Sequence, residues 1–152
     1  MFRGITALSL DAKGRMAIPS RYRERLLADG VEQLILTLDH RGQCLLLYPL
    51  PVWEAIEREL IEAPNLLAVV DQLKHTLIGH ATECEPDGQG RILLPSMLRE
   101  LVGIDRQVAL VGLGNKFELW DETAWSERRK DWLRAAQDGA VQLPEQLSRL
   151  AF

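Results

Sequence analysis

Hydrophobic and polar positions form short alternating runs and longer helical stripes, and their order occurs twice along the chain. Residues 5–10 alternate weakly and are rich in strand formers, turn residues interrupt at 11–14, and a second strand over 16–18 stops at Pro19. Ser20 is placed to cap a short helix over 21–28 that Gly30 closes. Two apolar runs, 33–38 and 43–48, flank Asp39-His40-Arg41-Gly42, which predicts a hairpin. Pro51 suits the first turn of a helix in which Trp53, Ile56, Leu60 and Ile61 form one apolar stripe opposite an acidic face. A further helix is predicted over 65–78, with Leu66, Val70, Leu73 and Leu77 on one side.

The second half repeats this order. Asp11-Ala12-Lys13-Gly14-Arg15-Met16-Ala17-Ile18-Pro19-Ser20 returns as Asp87-Gly88-Gln89-Gly90-Arg91-Ile92-Leu93-Leu94-Pro95-Ser96, with five of ten positions identical. After the Pro-Ser pair, Leu26 to Val31 answers to Leu98 to Ile104, the second copy reaching Ile104 three residues sooner. A second hairpin is expected around Gly112-Leu113-Gly114-Asn115, then a helix from near Asp121 that carries Trp125, Trp132 and Leu133. Beyond Gly139 the pattern predicts a mobile tail, with Leu143, Leu147 and Leu150 available to dock. Two copies are too few for a solenoid. The expected result is an α+β fold of two pseudo-symmetric β-α-β-β units sharing a compact, barrel-like core. The expected boundaries are 5–52 for the first unit, 53–78 for linking helices, 81–124 for the second unit and 125–152 for a terminal helix and tail.

Composition adds limits. Hydrophobic content of 47% and charged content of 26% are globular values. The apolar run Leu66 to Val70 is far short of a membrane span, and no secretory signal precedes Asp11. Cys44 and Cys84 are isolated thiols, so a reducing cytoplasm is the expected location. Net charge is −4, which argues against a generic nucleic-acid binder. Its distribution changes that picture. Residues 1–25 hold Arg3, Lys13, Arg15, Arg21, Arg23 and Arg25 against Asp11 and Glu24. The matching stretch of the second copy holds Arg91 and Arg99 against Glu83, Glu85, Asp87 and Glu100. A basic patch on an acidic body still attracts phosphate, because screening limits the distant acids to a reach of about 8 Å.

The repeated turn carries the chemistry. Asp at its start bonds backbone amides two residues on, and Gly14 or Gly90 permits positive φ. Arg15 or Arg91 then opens the returning strand, where Asp11 or Asp87 can orient it through a charge-assisted bond. Arginine's planar fork matches two acceptors on guanine or one phosphate. Charge makes the first copy the expected contact surface: Arg15 for bases, with Lys13, Arg3, Arg21 and Arg23 for phosphates. Arg91 is expected to matter less directly. One bidentate arginine discriminates by about 1–3 kcal/mol, whereas specific recognition exceeds non-specific binding by about 4–10 kcal/mol. Several chains acting on repeated sites are therefore expected.

Other features carry less. His80 and Cys84 share a strand face in this reading, and two ligands do not make a zinc site, so no metal is expected. No phosphate-binding glycine loop, dinucleotide fingerprint or nucleophile elbow occurs, so neither a cofactor nor a small-molecule substrate is expected. Asp11 and Arg15 lack an accompanying base, nucleophile or oxyanion set, which argues against an enzyme. Trp53, Trp120, Trp125 and Trp132 sit at core spacings, and Arg128-Arg129-Lys130 is a solvated face between Glu127 and Asp131.

The ordered set, rather than the turn alone, resembles the MraZ family, a two-copy member of the SpoVT–AbrB swapped-hairpin superfamily. The likeness runs from Met1-Phe2-Arg3-Gly4 through Leu47-Tyr48-Pro49-Leu50-Pro51-Val52-Trp53, then from Gly79-His80-Ala81-Thr82-Glu83-Cys84 to Asn115-Lys116-Phe117-Glu118-Leu119-Trp120-Asp121. Asp11 with Arg15, and Asp87 with Arg91, fill the family's two Asp-x-x-x-Arg positions. The resemblance implies a swapped-hairpin fold and a bacterial repressor of the division and cell-wall gene cluster, associated with the nucleoid. It further implies a ring-like homo-oligomer on short direct repeats in double-stranded DNA upstream of its own operon. An antitoxin-like interaction module is the alternative, because the same superfamily fold serves both. Two departures stand out: the 65–78 helix has Lys74 but no arginine, and the segment after Gly139 matches little.

Overall fold

The computed structural model describes residues 1–150. Two compact units appear, Met1–Glu122 and Thr123–Phe152. The first unit contains β1 (Phe2–Ser9), β2 (Arg15–Ala17), α1 (Ser20–Ala28), β3 (Leu34–Leu38), β4 (Leu45–Pro49), α2 (Leu50–Glu62), α3 (Ala68–Leu73), β5 (Thr82–Cys84), β6 (Arg91–Leu93), α4 (Ser96–Leu101), β7 (Gln107–Gly114) and β8 (Phe117–Asp121).

Neither copy keeps its strands to itself. The six-stranded sheet has the order β1-β7-β8-β4-β3-β5, and β2 pairs with β6 in a separate ribbon. The first strand of each copy thus lies beside the third strand of the other. Exchanging the copies (β1 with β5, β3 with β7, β4 with β8) reverses the order and leaves it unchanged, which defines a pseudo-twofold axis. The sheet is open with edges at β1 and β5, so the expected barrel-like closure is corrected. The exchange is unequal. All eight residues of β1 pair with β7, whereas β5 pairs with β3 only from Leu34 to Leu36. The chain just before β5 is a π-helical turn, Lys74–Ile78, and the Thr37 hydroxyl donates to Leu77 O at 2.5 Å where a longer strand would have run.

Alternation explains the main core. Leu34, Leu36, Leu38, Leu45, Leu47, Val108, Leu110, Phe117 and Leu119 occupy one face of the sheet and join Met16, Ile92, Leu26 and Leu98 in one buried cluster. Met16 and Ile92 face each other at the centre of the β2–β6 register and are almost fully excluded from solvent. Each contributes roughly 1.5–3 kcal/mol by burial, which is what holds two three-residue strands to the body. Phe2, Tyr22 and Phe117 form a contiguous aromatic group, with centroids 4.2–5.9 Å apart, that pins the start of β1 and the first turn of α1. On the other sheet face Trp53 of α2 packs 5.7 Å from Tyr48.

Several local expectations need correction. Ser20 is the first helical residue, not a cap: Pro19 O accepts from the amides of Tyr22 and Arg23, and no side chain caps α1. Ile61 is exposed, so the α2 stripe ends earlier than expected. The predicted 65–78 helix divides into α3 and the π turn. Leu66 lies ahead of α3 and is 97% exposed, while Lys74 Nζ donates to Ile61 O, Ala63 O and Asn65 Oδ1 and ties the connection together. The second hairpin turns at Asn115-Lys116 because β7 continues through Gly114.

The second unit carries most of α5 (Glu122–Gln137) and a 3-10 turn at Glu145–Leu147. Trp125 and Trp132 pack edge to face at 5.9 Å, and Lys130 pairs with Glu127 at 3.6 Å as an exposed i,i+3 contact. Leu143, Leu147 and Leu150 are exposed.

A clasp between copies follows from the exchange. Gly90 has φ +74°, and a Cβ there would collide with the Arg23 side chain from α1. Gly14 has φ +79°, and a Cβ there would lie 2.9 Å from Arg99 Nη2 of α4. Gly90→Ala should therefore destabilise the protein by about 1–2 kcal/mol from positive φ alone, plus the clash. Pairing it with Arg23→Ala should recover the clash but not the φ cost. Chemical denaturation of the two single variants and the double variant checks this, and additive losses would contradict the contact.

Candidate functional site

The two Asp-x-x-x-Arg turns meet on the outer side of the β2–β6 ribbon. Period-two geometry sends Met16 and Ile92 inward, so Arg15, Ala17, Arg91 and Leu93 share the other face. The register is Arg15↔Leu93 and Ala17↔Arg91, which sets the two arginines diagonally about the pseudo-twofold axis. Ala17 and Leu93 are exposed between them.

Each turn is built in the same way. Asp11 Oδ1 accepts from the amides of Lys13 (3.0 Å) and Arg15 (2.9 Å), and Gly14 N donates to Asp11 O at 3.0 Å. Asp87 Oδ1 accepts from the amides of Gln89 and Arg91, both at 2.9 Å, and Gly90 N donates to Asp87 O at 2.9 Å. One further amide ties each turn to the opposite copy: Ile18 N donates to Gly90 O and Leu94 N to Gly14 O. The second carboxylate oxygen orients the arginine. Arg15 Nε donates to Asp11 Oδ2 at 2.7 Å and Arg91 Nε to Asp87 Oδ2 at 2.9 Å. Arg91 Nη1 also lies 3.9 Å from Asp11 Oδ2, so that carboxylate touches both guanidinium groups. Holding Nε fixes the plane of each guanidinium. The side chains of Arg15 and Arg91 are 28% and 29% exposed, so they lie along the ribbon rather than extending into solvent.

The remaining sequence candidates divide into three places. Lys13 is exposed on the first turn, and its counterpart Gln89 is uncharged. Arg23 lies against Gly90 rather than beside Arg15, half-buried, and its Nε has no hydrogen-bond partner among the described residues. Its counterpart Arg99 donates from Nε to Leu94 O at 3.0 Å. Arg3 and Arg21 sit at the start of β1 and α1, in a cleft that also takes in Tyr22 and Arg25. The sequence reading missed Arg99 as the mate of Arg23. The signal was present, because Arg23 and Arg99 stand at equal distances from the two Pro-Ser pairs.

Two thiols and a histidine fall outside this surface. Burial pushes the Cys84 thiol up to about 11 and raises Cys44 beyond the usual thiol range. His80 is in the turn ahead of β5, not on the strand as expected, and its Nδ1 faces the carbonyls of Thr76 and His75.

Both turn aspartates are held below their ordinary value. The largest cause is the backbone amide of Arg15 for Asp11 and of Arg91 for Asp87, opposed by desolvation and helped by the arginine side chain. A carboxyl depressed in the folded state stabilises the turn above the unfolded value of about 3.9, and that contribution disappears as pH falls through the folded value. Carboxyl-carbon NMR should show Asp11 and Asp87 titrating below about 3.9, with the Arg15 and Arg91 Nε–H signals losing their shifts in the same range. Ordinary titration at both positions would contradict the turn geometry.

Comparison with known proteins agrees with the architecture. The family model described as "MraZ protein, putative antitoxin-like" matches residues 1–72 and 77–137, one region for each copy. A protein of Halorhodospira halophila named "Transcriptional regulator MraZ" is 52% identical over 152 residues, covering all of both chains. One from Thioalkalivibrio sulfidiphilus with the same name is 54% identical over 140 residues, covering 92% of this chain and 93% of its own. Another so named, from Klebsiella pneumoniae, is 46% identical over the full length of both. With both halves matched by the family model and full-length identities near one half, the chain belongs to the MraZ family.

Proposed function

We propose that this protein is a transcriptional regulator that reads double-stranded DNA with the β2–β6 ribbon, using Arg15 and Arg91 together. The observation that carries the reading is the antiparallel register that sets two oriented arginines about one pseudo-twofold axis. The DNA major groove admits a two-stranded β-ribbon, and arginine is the commonest reader of guanine O6 and N7. The names of the relatives support the regulatory assignment. Lys13 extends the first turn toward a phosphate, while Ala17 and Leu93 offer apolar contact to thymine methyl groups. Arg23 acts from below, by supporting the Gly90 turn.

Magnitudes decide between one chain and several. Two bidentate arginines provide roughly 2–6 kcal/mol of discrimination, about the lower part of the 4–10 kcal/mol that separates specific from non-specific binding. One ribbon is therefore marginal alone. A homo-oligomer placing several ribbons on repeated short sites reaches the required range through effective concentration. We assign those sites to the region upstream of the protein's own operon, in the division and cell-wall gene cluster, with repression as the outcome and the nucleoid as the location. The antitoxin-like wording of the family description favours a second reading, in which the protein binds another protein instead.

A mobility-shift assay on upstream DNA across a salt series separates the two. Arg15→Ala and Arg91→Ala should each reduce the preference for upstream over scrambled DNA by about 5-fold to 150-fold, with oligomer size by light scattering unchanged. Equal affinity of the unmodified protein for both DNAs would overturn the regulator reading. Loss confined to Arg15→Ala would remove Arg91 from the reading surface.

A further inference from the structure

A cleft of about 310 Å³ at the start of β1 is lined by Met1, Phe2, Arg3, Arg21, Tyr22 and Arg25. Its charge is concentrated: among the described residues the only acid paired with it is Asp29, 3.3 Å from Arg25 Nε, with both side chains more than half exposed. Arg21 is held in place by three contacts, from Thr6 and Tyr22. Its Nη2 donates to Thr6 Oγ1 at 2.8 Å and to Tyr22 Oη at 2.9 Å, and its guanidinium lies 4.6 Å from the centre of the Tyr22 ring. Tyr22 in turn donates to Arg3 O at 2.6 Å. Gly4 beside them has φ +100°, a conformation that favours glycine, and a Cβ there would be in ordinary contact with Arg21 Nη2 (3.4 Å) and Tyr22 Oη (3.6 Å).

The second copy provides an internal control. Counted from the Pro-Ser pairs, Arg21, Tyr22 and Arg25 of α1 correspond to Met97, Leu98 and Leu101 of α4, and Arg3 corresponds to Gly79. A helix forms at the same place, shorter by three residues, and its buried position is filled by Leu98 without any of these arginines. Arg15 with Arg91 and Arg23 with Arg99, by contrast, occur in both copies and take part in the shared turns and clasp. The arginines of the cleft are therefore not required by the architecture. A group of cations that the fold can omit, one of them fixed by a stacked tyrosine, is organised for an anion.

We propose that the Arg3–Arg21–Arg25 cleft is a phosphate-binding site separate from the ribbon. Guanidinium forks match phosphoryl oxygens, and the remote acids of the chain are screened beyond about 8 Å. Eight residues of mostly extended strand, roughly 25 Å, separate Arg3 from Asp11. The Arg3 end of the cleft therefore lies away from the turn that orients Arg15. Its ligand is a backbone phosphate of the flanking duplex, an assignment of source that rests on the DNA-binding reading, or the phosphate of a free polyphosphate compound. The chemistry is the same in both.

The test uses the full chain and the variant Arg21→Met/Arg25→Leu, which gives α1 the residues that α4 carries. Arg21→Lys/Arg25→Lys keeps the charge and serves as the rescue. Loss of two phosphate contacts should lower the slope of log affinity against log salt by about 2, for upstream and scrambled DNA alike. The ratio between the two DNAs should stay within about threefold, since phosphate contacts carry no sequence information. Separately, isothermal titration with inorganic tripolyphosphate should detect binding to the unmodified protein and to Arg15→Ala, but not to Arg21→Met/Arg25→Leu. A changed DNA slope assigns the site to the duplex backbone, and lost tripolyphosphate binding with an unchanged slope assigns it to a free phosphate compound. An unchanged slope together with no loss of tripolyphosphate binding overturns the proposal. If the unmodified protein shows no preference for upstream DNA, the regulator reading fails while the tripolyphosphate arm still decides the cleft.

Discussion

The pairing of β2 with β6 is the contact on which the rest of this molecule depends. Each strand is only three residues long, and neither copy supplies a partner of its own for it. Their joining brings Met16 and Ile92 into the core and, as a geometric consequence, sets Arg15 and Arg91 on the opposite face. Core and surface are therefore two sides of one ribbon. The reciprocal exchange of β1 and β5 holds the copies together around it, and the amide bonds from Ile18 to Gly90 and from Leu94 to Gly14 fasten each turn to the other copy. A single copy lacks the partner strand, the clasping arginine and half of the outer face.

Duplication in one chain also allows the copies to differ, and the differences are informative. Features shared by both halves are the ones the scaffold uses: the Asp–Gly–Arg turn and the helix arginine laid over the opposing glycine. Features held by one half mark specialisation. The first half has a full-length β1, Lys13 and the arginine cleft; the second has a shortened β5 preceded by a π turn. The π turn is connected to that shortening, because Leu77 O accepts from Thr37 at the side of β3 where β5 does not reach.

Much of this was legible in the sequence, for identifiable reasons. The strands and short helices follow from alternation and from Pro and Gly punctuation, so β2, β3, β4 and α1 lie within a residue or two of their expected bounds. The swapped-hairpin topology was expected from family resemblance and not from periodicity, since a period of two says which face is buried but not which copy supplies the neighbouring strand. Charge counting was the least informative guide. It separated a basic first copy from an acidic second, yet the register brings Arg91 to within 3.9 Å of Asp11. It also grouped Arg23 with Arg3 and Arg21, which the fold separates into a clasp and a cleft. Those distinctions depend on helix phase and on contacts between copies, which local composition does not encode.

The central claim is that the two turns act as one reading surface rather than as a reader and a scaffold. Arginine-selective nitrogen-15 NMR tests it most directly, by following the Arg15 and Arg91 Nε–H signals while duplex DNA carrying the proposed upstream sites is added. The account predicts that both signals shift together and saturate at the same DNA ratio, and that neither moves to that extent with scrambled DNA. Movement of Arg15 alone, with Arg91 unchanged at saturation, would contradict it.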